Sequence, residues 1–224
     1  MKKILFLLVL SILSVGISFA QTKTRVGVTA GLNVSKFNAS GEGAPSFDFK
    51  AGFQAGVVAD FGITDKFSIM PELLFAQRGT KYSELIDDDV TGSFSMTLNY
   101  LQLPINAAYK FDVGNGSKLF VFAGPYFGYG VSASGKITGK SQGVEVGVPF
   151  TVKFGSNPDN ANDEDMAVYL KSFDVGVNVG VGYEYEKIFC KLQYNHGFSN
   201  LLNDSGSASM KNMNIAVSVG YYFF

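Results

Sequence analysis

Apolar residues recur at every second position along most of the chain, which is the period of an extended strand with two unlike faces. The clearest run is Phe173, Val175, Val177, Val179, Val181, Tyr183 and Tyr185, interleaved with Asp174, Gly176, Asn178, Gly180, Gly182 and Glu184. The C-terminal run has the same form, with Met213, Ile215, Val217, Val219, Tyr221 and Phe223 set against Asn214, Ala216, Ser218 and Gly220. Val26, Val28, Ala30 and Leu32 alternate with Gly27, Thr29, Gly31 and Asn33. Ala51, Phe53, Ala55, Val57, Ala59 and Phe61 alternate with Gly52, Gln54, Gly56 and Asp60. Four further segments lie near 67–78, 98–111, 118–131 and 188–198, giving eight predicted strands.

The second face distinguishes two architectures. In a soluble sandwich or a lipocalin-like barrel the apolar face points inward and the exposed face carries many charges. Here the second face is mostly Gly, Ala, Ser, Asn and Gln, which suits the crowded interior of a narrow barrel whose apolar face meets lipid. Closure also removes the unpaired edges that drive aggregation. The connections alternate in length. Short ones fall at 62–66, 112–117 and 186–187, and long ones near 35–48, 79–97, 132–170 and 199–211. Outer-membrane barrels pair tight periplasmic turns with longer extracellular loops. The expectation is therefore all-β: an eight-stranded antiparallel up-and-down transmembrane β-barrel over residues 21–224, with both ends of the chain periplasmic.

Val144, Val146, Val148, Phe150, Val152 and Phe154 also alternate. A ninth spanning strand would put the C-terminus outside and break the alternation of short and long connections. The stretch is instead expected to form a hairpin above the barrel, beside the acidic run 157–165. Aromatic residues group by strand end. Phe61, Phe67, Tyr109, Phe111, Tyr183, Tyr185 and Phe223 fall at the short-turn end, and Phe75, Phe127, Tyr129 and Tyr194 nearer the other. Two such girdles are expected at the two lipid–water boundaries.

Charged residues make up 17% of the chain and the formal net charge is −1, which speaks against nucleic-acid binding. The aromatic content of 14% and the apolar content exclude disorder. Beyond the first twenty residues no apolar run is long enough for a membrane helix. Those twenty begin with Lys2 and Lys3, continue through an apolar stretch from Ile4 to Leu13, and end with Ser18 and Ala20 before Gln21. This is the pattern of an export signal cleaved after residue 20. As a membrane helix it would be short and interrupted by Ser11, Ser14 and Gly16. The one cysteine, Cys190, cannot close an intramolecular disulfide and is expected to make a small apolar contact.

Seven ionisable residues take the inward register: Asp60, Glu72, Arg78, Lys110, Asp174, Glu184 and Lys191. An eight-stranded lumen is only wide enough for side chains, so an internal ion-pair network is expected, with a proton or ion path as the alternative. His196, Ser199 and Asp204 supply the residue types of a hydrolase triad, but a period-two strand places 196 and 199 on opposite faces. Asp87, Asp88 and Asp89, and the run from Asp159 to Asp165, lack the ligand spacing and glycine of a calcium loop. No catalytic residue, metal site or cofactor is expected.

Gly31-Leu32-Asn33, Pro71-Glu72-Leu73-Leu74-Phe75 with Gln77-Arg78-Gly79, Tyr100-Leu101-Gln102-Leu103-Pro104 and Gly124-Pro125-Tyr126 together resemble the small outer-membrane β-barrel family that includes PorT-like proteins. The resemblance covers the whole mature chain. It implies an eight-stranded barrel of OmpX-like shape, some members being linked to protein secretion. The ending Tyr221-Tyr222-Phe223-Phe224 resembles the aromatic signal read by the barrel-assembly machinery, although Phe224 falls in the inward register. The expected role is non-enzymatic: an integral outer-membrane barrel in contact with outer-membrane lipids, whose outer loops serve surface interaction, a protein partner or envelope integrity. The alternatives are an accessory part of an export apparatus, a small pore, and a lipid-modifying enzyme.

Overall fold

The structure, a computed structural model, describes residues 24–41, 43, 45–87, 90–141, 144–156, 167–203 and 208–223. The expected export signal, Asp88, Asp89, the acidic run 159–165, Asp204 and Phe224 lie outside the described residues. Ten strands follow in chain order: β1 (Thr24–Ser40), β2 (Asp48–Gly62), β3 (Phe67–Asp87), β4 (Val90–Gly114), β5 (Ser117–Ser141), β6 (Val144–Phe154), β7 (Ala167–Leu170), β8 (Phe173–Tyr185), β9 (Ile188–Gly197) and β10 (Ser209–Tyr222). Eight of them close a ring of antiparallel neighbours in the order β1, β2, β3, β4, β5, β8, β9 and β10, with β10 returning to β1. This is the expected eight-stranded barrel. β6 does not enter the ring. It forms a hairpin with β5 and pairs in parallel with the short β7.

Burial follows the predicted alternation. Leu32, Val57, Leu103, Val121, Val181, Leu192 and Val217 point away from the barrel and are exposed, whereas their strand neighbours face inward. The outward apolar run of β4 from Leu101 to Phe111 covers about 34 Å along the strand, or about 26 Å of height at the usual tilt. That is the thickness of an outer-membrane apolar band. The aromatic residues expected in the two girdles all belong to this outward face, with Tyr109, Tyr183 and Tyr129 among the more exposed.

Strand ends differ from expectation in one direction. β1 runs to Ser40, β3 to Asp87 and β5 to Ser141, and β4 starts at Val90, so the expected outer connections near 35–48, 79–97 and 132–170 are in good part strand. The reason is an inversion of polarity. On β4 the outward positions are Leu101, Leu103 and Ile105 within the band but Asn99, Thr97, Ser95 and Ser93 above it. The inward ones above it are Leu98 and Met96. A side chain above the bilayer meets water on the outside, so the apolar face must turn to the interior. On β5 the inversion coincides with a β-bulge, since Tyr100 pairs with Gly130 but Asn99 with Ser132. Val131 is the extra residue and shifts the alternation by one position. A rung of side-chain hydrogen bonds marks the boundary: Gln77 Nε2 donates to Asn99 Oδ1 at 3.4 Å, and Asn99 Nδ2 donates to Ser132 Oγ at 2.9 Å.

The three short connections are 63–66, the Asn115–Gly116 turn and Glu186–Lys187. Asn115 and Glu186 take positive φ of 53° and 51°, and Gly114 and Gly116 flank the first with 89° and 75°. Asp112 Oδ1 accepts from the Gly114 amide at 2.9 Å, closing an Asx turn at that corner. Inside the wall, Phe122 and Phe120 lie across Gly180 and Gly182 of β8 so closely that a Cβ at either glycine would strike the ring. Bare glycine backbone on one strand thus accommodates a large ring from the next, which fills a narrow barrel without voids.

Candidate functional site

All seven expected inward charges are buried, and an eighth joins them. Arg25 projects into the lumen near the start of β1, in register with Gly27, Thr29 and Gly31. Counting two positions back from Gly27 would have found it. The network therefore holds four bases and four acids. At the short-turn end Arg25 grips Glu184 with two bonds, Nη1 to Oε1 at 2.5 Å and Nη2 to Oε2 at 2.7 Å, and also donates to Asp60 Oδ2 at 2.5 Å. Lys110 Nζ donates to the same Asp60 oxygen and lies 3.5 Å from Glu184 Oε2. The Arg25 guanidinium also stacks 4.1 Å above the Tyr222 ring, so the last described strand is tied to the first by charge as well as by its ladder.

At mid-height Lys191 Nζ meets Glu72 Oε1 at 2.5 Å, with both side chains 1% exposed. Amides carry the polar chain across the lumen. Asn178 Nδ2 donates to Asn106 Oδ1 at 3.2 Å, Asn195 Nδ2 donates to Asn178 Oδ1, and Asn214 Nδ2 donates to Asn195 Oδ1 at 3.2 Å. Higher up, Asp174 Oδ2 is the hub. It accepts from Asn212 Nδ2 at 2.9 Å and from the Tyr126 hydroxyl at 3.0 Å, and it pairs with Arg78 at 3.5 Å. Arg78 Nη2 also donates to Gln102 Oε1 at 2.7 Å. Each buried charge has an opposite partner, which offsets the several kcal/mol that desolvation costs each ion.

Above Arg78 and Asp174 the interior turns apolar. Phe37, Met96, Leu98, Tyr100, Val152, Leu170, Leu201 and Met210 form one buried cluster, with Phe150, Phe154 and Leu202 packed against it. The cap is built by the connections: Val152 and Phe154 come from β6, Leu170 from β7, and Leu201 and Leu202 from the segment after β9. Backbone bonds knit these pieces. The Lys171 amide donates to Leu201 O at 2.8 Å, the Gly155 amide to Leu170 O at 2.9 Å, and Leu170 and Leu202 form an isolated bridge. Sequence reasoning missed this cap. Its signal was present in the alternation from Val144 to Phe154, an apolar face that needed a surface on which to bury.

At the opposite end the lumen opens into a recess of ≈ 450 Å³ lined by Arg25, Asp60, Lys66, Lys110 and Lys118. A larger hollow of ≈ 670 Å³ lies on the outward apolar wall over Ala107, Ala123, Val179 and Val181. The hydrolase residue types are engaged separately. His196 Nδ1 lies 3.3 Å from the Tyr194 hydroxyl on the lipid-facing side, and Ser199 Oγ accepts from the Val175 amide at 2.9 Å. Cys190 is exposed on the same outward face of β9. Among the described residues no group of three or more His, Cys, Asp or Glu is placed to hold a metal ion.

The profile of the outer membrane protein beta-barrel domain family matches residues 19–203. Among solved structures the chain is similar to Ail, the attachment invasion locus protein of Yersinia pestis, in complex with the heparin analogue sucrose octasulfate. The identity is 12%, the TM-score 0.42, and the match covers 89% of this chain and 99% of that one. It is also similar to Neisserial surface protein A, at 14% identity and a TM-score of 0.40 over 88% and 97% of the two chains. Outer membrane protein OprG from Pseudomonas aeruginosa matches at 10% identity and a TM-score of 0.47 over 90% and 97%. No curated protein sequence matches the chain.

Proposed function

The chain belongs to the outer membrane protein beta-barrel domain family and is a protein of the outer membrane, and from that premise we propose that it is a non-enzymatic surface barrel that works through its long-loop end. In this reading that end faces outward, the export signal is removed, and the wall is a lipid-embedded anchor. The observation that carries the reading is the pairing of a capped lumen with a sheet that continues beyond it. The interior is filled by paired charges and closed by Leu98, Val152, Leu170 and Leu201, so the accessible chemistry lies on the projecting parts of β3, β4, β5 and β6. Ile137, Val148 and Val146 sit on one face of that sheet at 45%, 58% and 62% exposure. Apolar groups held above the bilayer on a regular sheet suit contact with another macromolecule.

The test compares cells lacking the gene with cells producing a chain in which residues 139–147 are cut to a tight turn. The intact and the trimmed barrel are both expected to run at lower apparent mass unboiled than boiled, and the trimmed one to reproduce the surface defect of the deletion. Full function of the trimmed chain would overturn the reading. The exposed apolar face also favours a second reading, a docking role in protein export as in PorT-like proteins. Normally secreted proteins accumulating in the periplasm of the deletion strain would select it, and an unchanged secretome would select the surface role.

A further inference from the structure

Directly above the apolar band, lysines line one side of the barrel. On β1 the outward apolar positions end at Val34 and the next outward residue is Lys36. On β10 they end at Met213 and the next is Lys211. Lys36 pairs with Met213 and Lys211 with Asn38, which makes the two lysines diagonal neighbours on one face. Lys36 extends over the Phe49 ring at 5.1 Å, toward β2. There Lys50 reaches across Gly79 of β3 to the outer face of β4, donating to Ser95 Oγ at 2.7 Å and Thr97 Oγ1 at 2.5 Å. Ser95 is itself opposite Lys81 on β3 and Lys136 on β5. The belt thus starts at the edge of the band on β10, β1 and β2 and rises to Lys81 of β3 and Lys136 of β5, which lie level with Ser95, above the boundary at Asn99.

Three features set this belt apart from ordinary interfacial anchoring. First, it is one-sided. At the same level β9 presents His196 and Phe198, and β8 presents Phe173 and Val175 with the single Lys171 beyond them, whereas lysines that merely anchor a barrel would be spread evenly around it. Second, its charge is under-compensated. Among the described residues Lys36, Lys50, Lys81 and Lys211 make no ion pair, and Lys136 has only Glu145 at 3.9 Å, both more than half exposed. Asp48, opposite Lys81, and Glu145, near Lys136, are the described carboxylates beside the belt. Third, like charges are brought together. Burial and, after it, the Lys81 charge oppose the protonated form of Lys50, and a bound anion would offset both. Hydroxyls of Ser95 and Thr97 stand among the ammonium groups as further donors.

We propose that this belt binds the phosphorylated head group of a lipid in the adjoining leaflet. The ligand is a membrane lipid, because the lysines follow the last lipid-facing residues without an intervening turn. A head group at this depth reaches the ammonium groups while its chains lie along Val34, Ile215 and Phe53. Charges near a membrane surface each strengthen binding about fivefold. The proposal concerns which lipid the wall selects, and it rests on the proposed function only for the long-loop end facing the outer leaflet.

Native mass spectrometry of the full barrel in detergent, titrated with diphosphorylated lipid A, tests it. One lipid is expected to stay bound. Lys36→Gln, Lys50→Gln, Lys81→Gln and Lys211→Gln should each weaken retention about fivefold, and the four together on the order of six hundredfold. Lys66→Gln with Lys118→Gln, at the other end of the barrel, should leave it unchanged. Equal retention by the fourfold variant would overturn the proposal, as would equal retention of the dephosphorylated lipid, which would mean that the acyl chains alone are held. Displacement by millimolar inorganic phosphate would also overturn it, in favour of a soluble anion. Should the fourfold variant fail to fold, which its gel mobility reports, the single variants carry the test. Sidedness is read separately, by protease access to the long loops in whole cells, so failure of one reading is distinguishable from failure of the other.

Discussion

β4 and β5 each run 25 residues, yet their two halves obey opposite rules. From Leu101 to Phe111 the outside of β4 is apolar and its inside carries Gln102, Asn106 and Lys110. From Asn99 upward the outside carries Asn99, Thr97 and Ser95, and the inside Leu98 and Met96. The backbone is the same ladder throughout. What changes is the solvent on the outer side, and with it the face on which an apolar side chain lowers the free energy. The lesson is that a strand's polarity pattern reports its surroundings, and a change of surroundings midway reads in sequence as the end of the strand.

The comparison can be broken most severely at the charges that the lower half encloses. Replacing Lys191 by Met strips Glu72 of its buried partner and is expected to cost about 3–5 kcal/mol in urea unfolding of the folded barrel. Replacing both, as Glu72→Leu with Lys191→Met, should recover most of that loss. If the single variant unfolds like the parent, the network does not stabilise the wall. Next in size is a charge on the lipid face. Leu103→Lys, near mid-band on β4, should lose about 2–4 kcal/mol in lipid vesicles. Ser134→Lys, outward on β5 above the band, should change stability by less than about 0.5 kcal/mol. Similar losses at the two sites would mean that the band extends above Asn99.

Packing comes third. Gly182→Ala pushes a methyl into the Phe120 ring and should cost about 1–3 kcal/mol, and shortening the ring with Phe120→Leu in the same chain should relieve part of it. A Gly182→Ala barrel as stable as the parent would show that the ring has room to move. The smallest effect belongs to the projecting half. Val148→Ser removes an apolar group that is 58% exposed and should shift stability by under about 0.5 kcal/mol. A loss larger than that would show that the projecting face packs against part of the chain.

How much was legible follows the same division. Below the boundary the period-two pattern placed all eight wall strands, the direction of each face and seven of the eight luminal charges, because one solvent borders each face from end to end. Arg25 escaped because it precedes the first long apolar run, although Gly27 and Gly31 already marked its register. Above the boundary the pattern hides twice, once through the exchange of polar and apolar faces and once through the bulge at Val131, which shifts the period by one residue. The cap was illegible for another reason. Val152, Leu170, Leu201 and Met210 come from four separate segments, and only the fold brings them onto one surface. His196 shows the converse. Its residue type suggests chemistry, but its place on the lipid-facing side of β9 gives it Tyr194 and Phe198 as neighbours.

The central claim is that the outward face of β4 leaves lipid between Leu101 and Asn99. Single cysteines at Phe111, Leu103, Leu101, Asn99, Thr97 and Ser95, in a chain with Cys190→Ala, can be spin-labelled and reconstituted into bilayers. Relaxation by oxygen should then be compared with relaxation by a water-soluble nickel complex. Oxygen is expected to dominate at 103 and 101 and the nickel complex at 99, 97 and 95. Lipid-like behaviour at 97 and 95, or water-like behaviour at 103, would contradict the account.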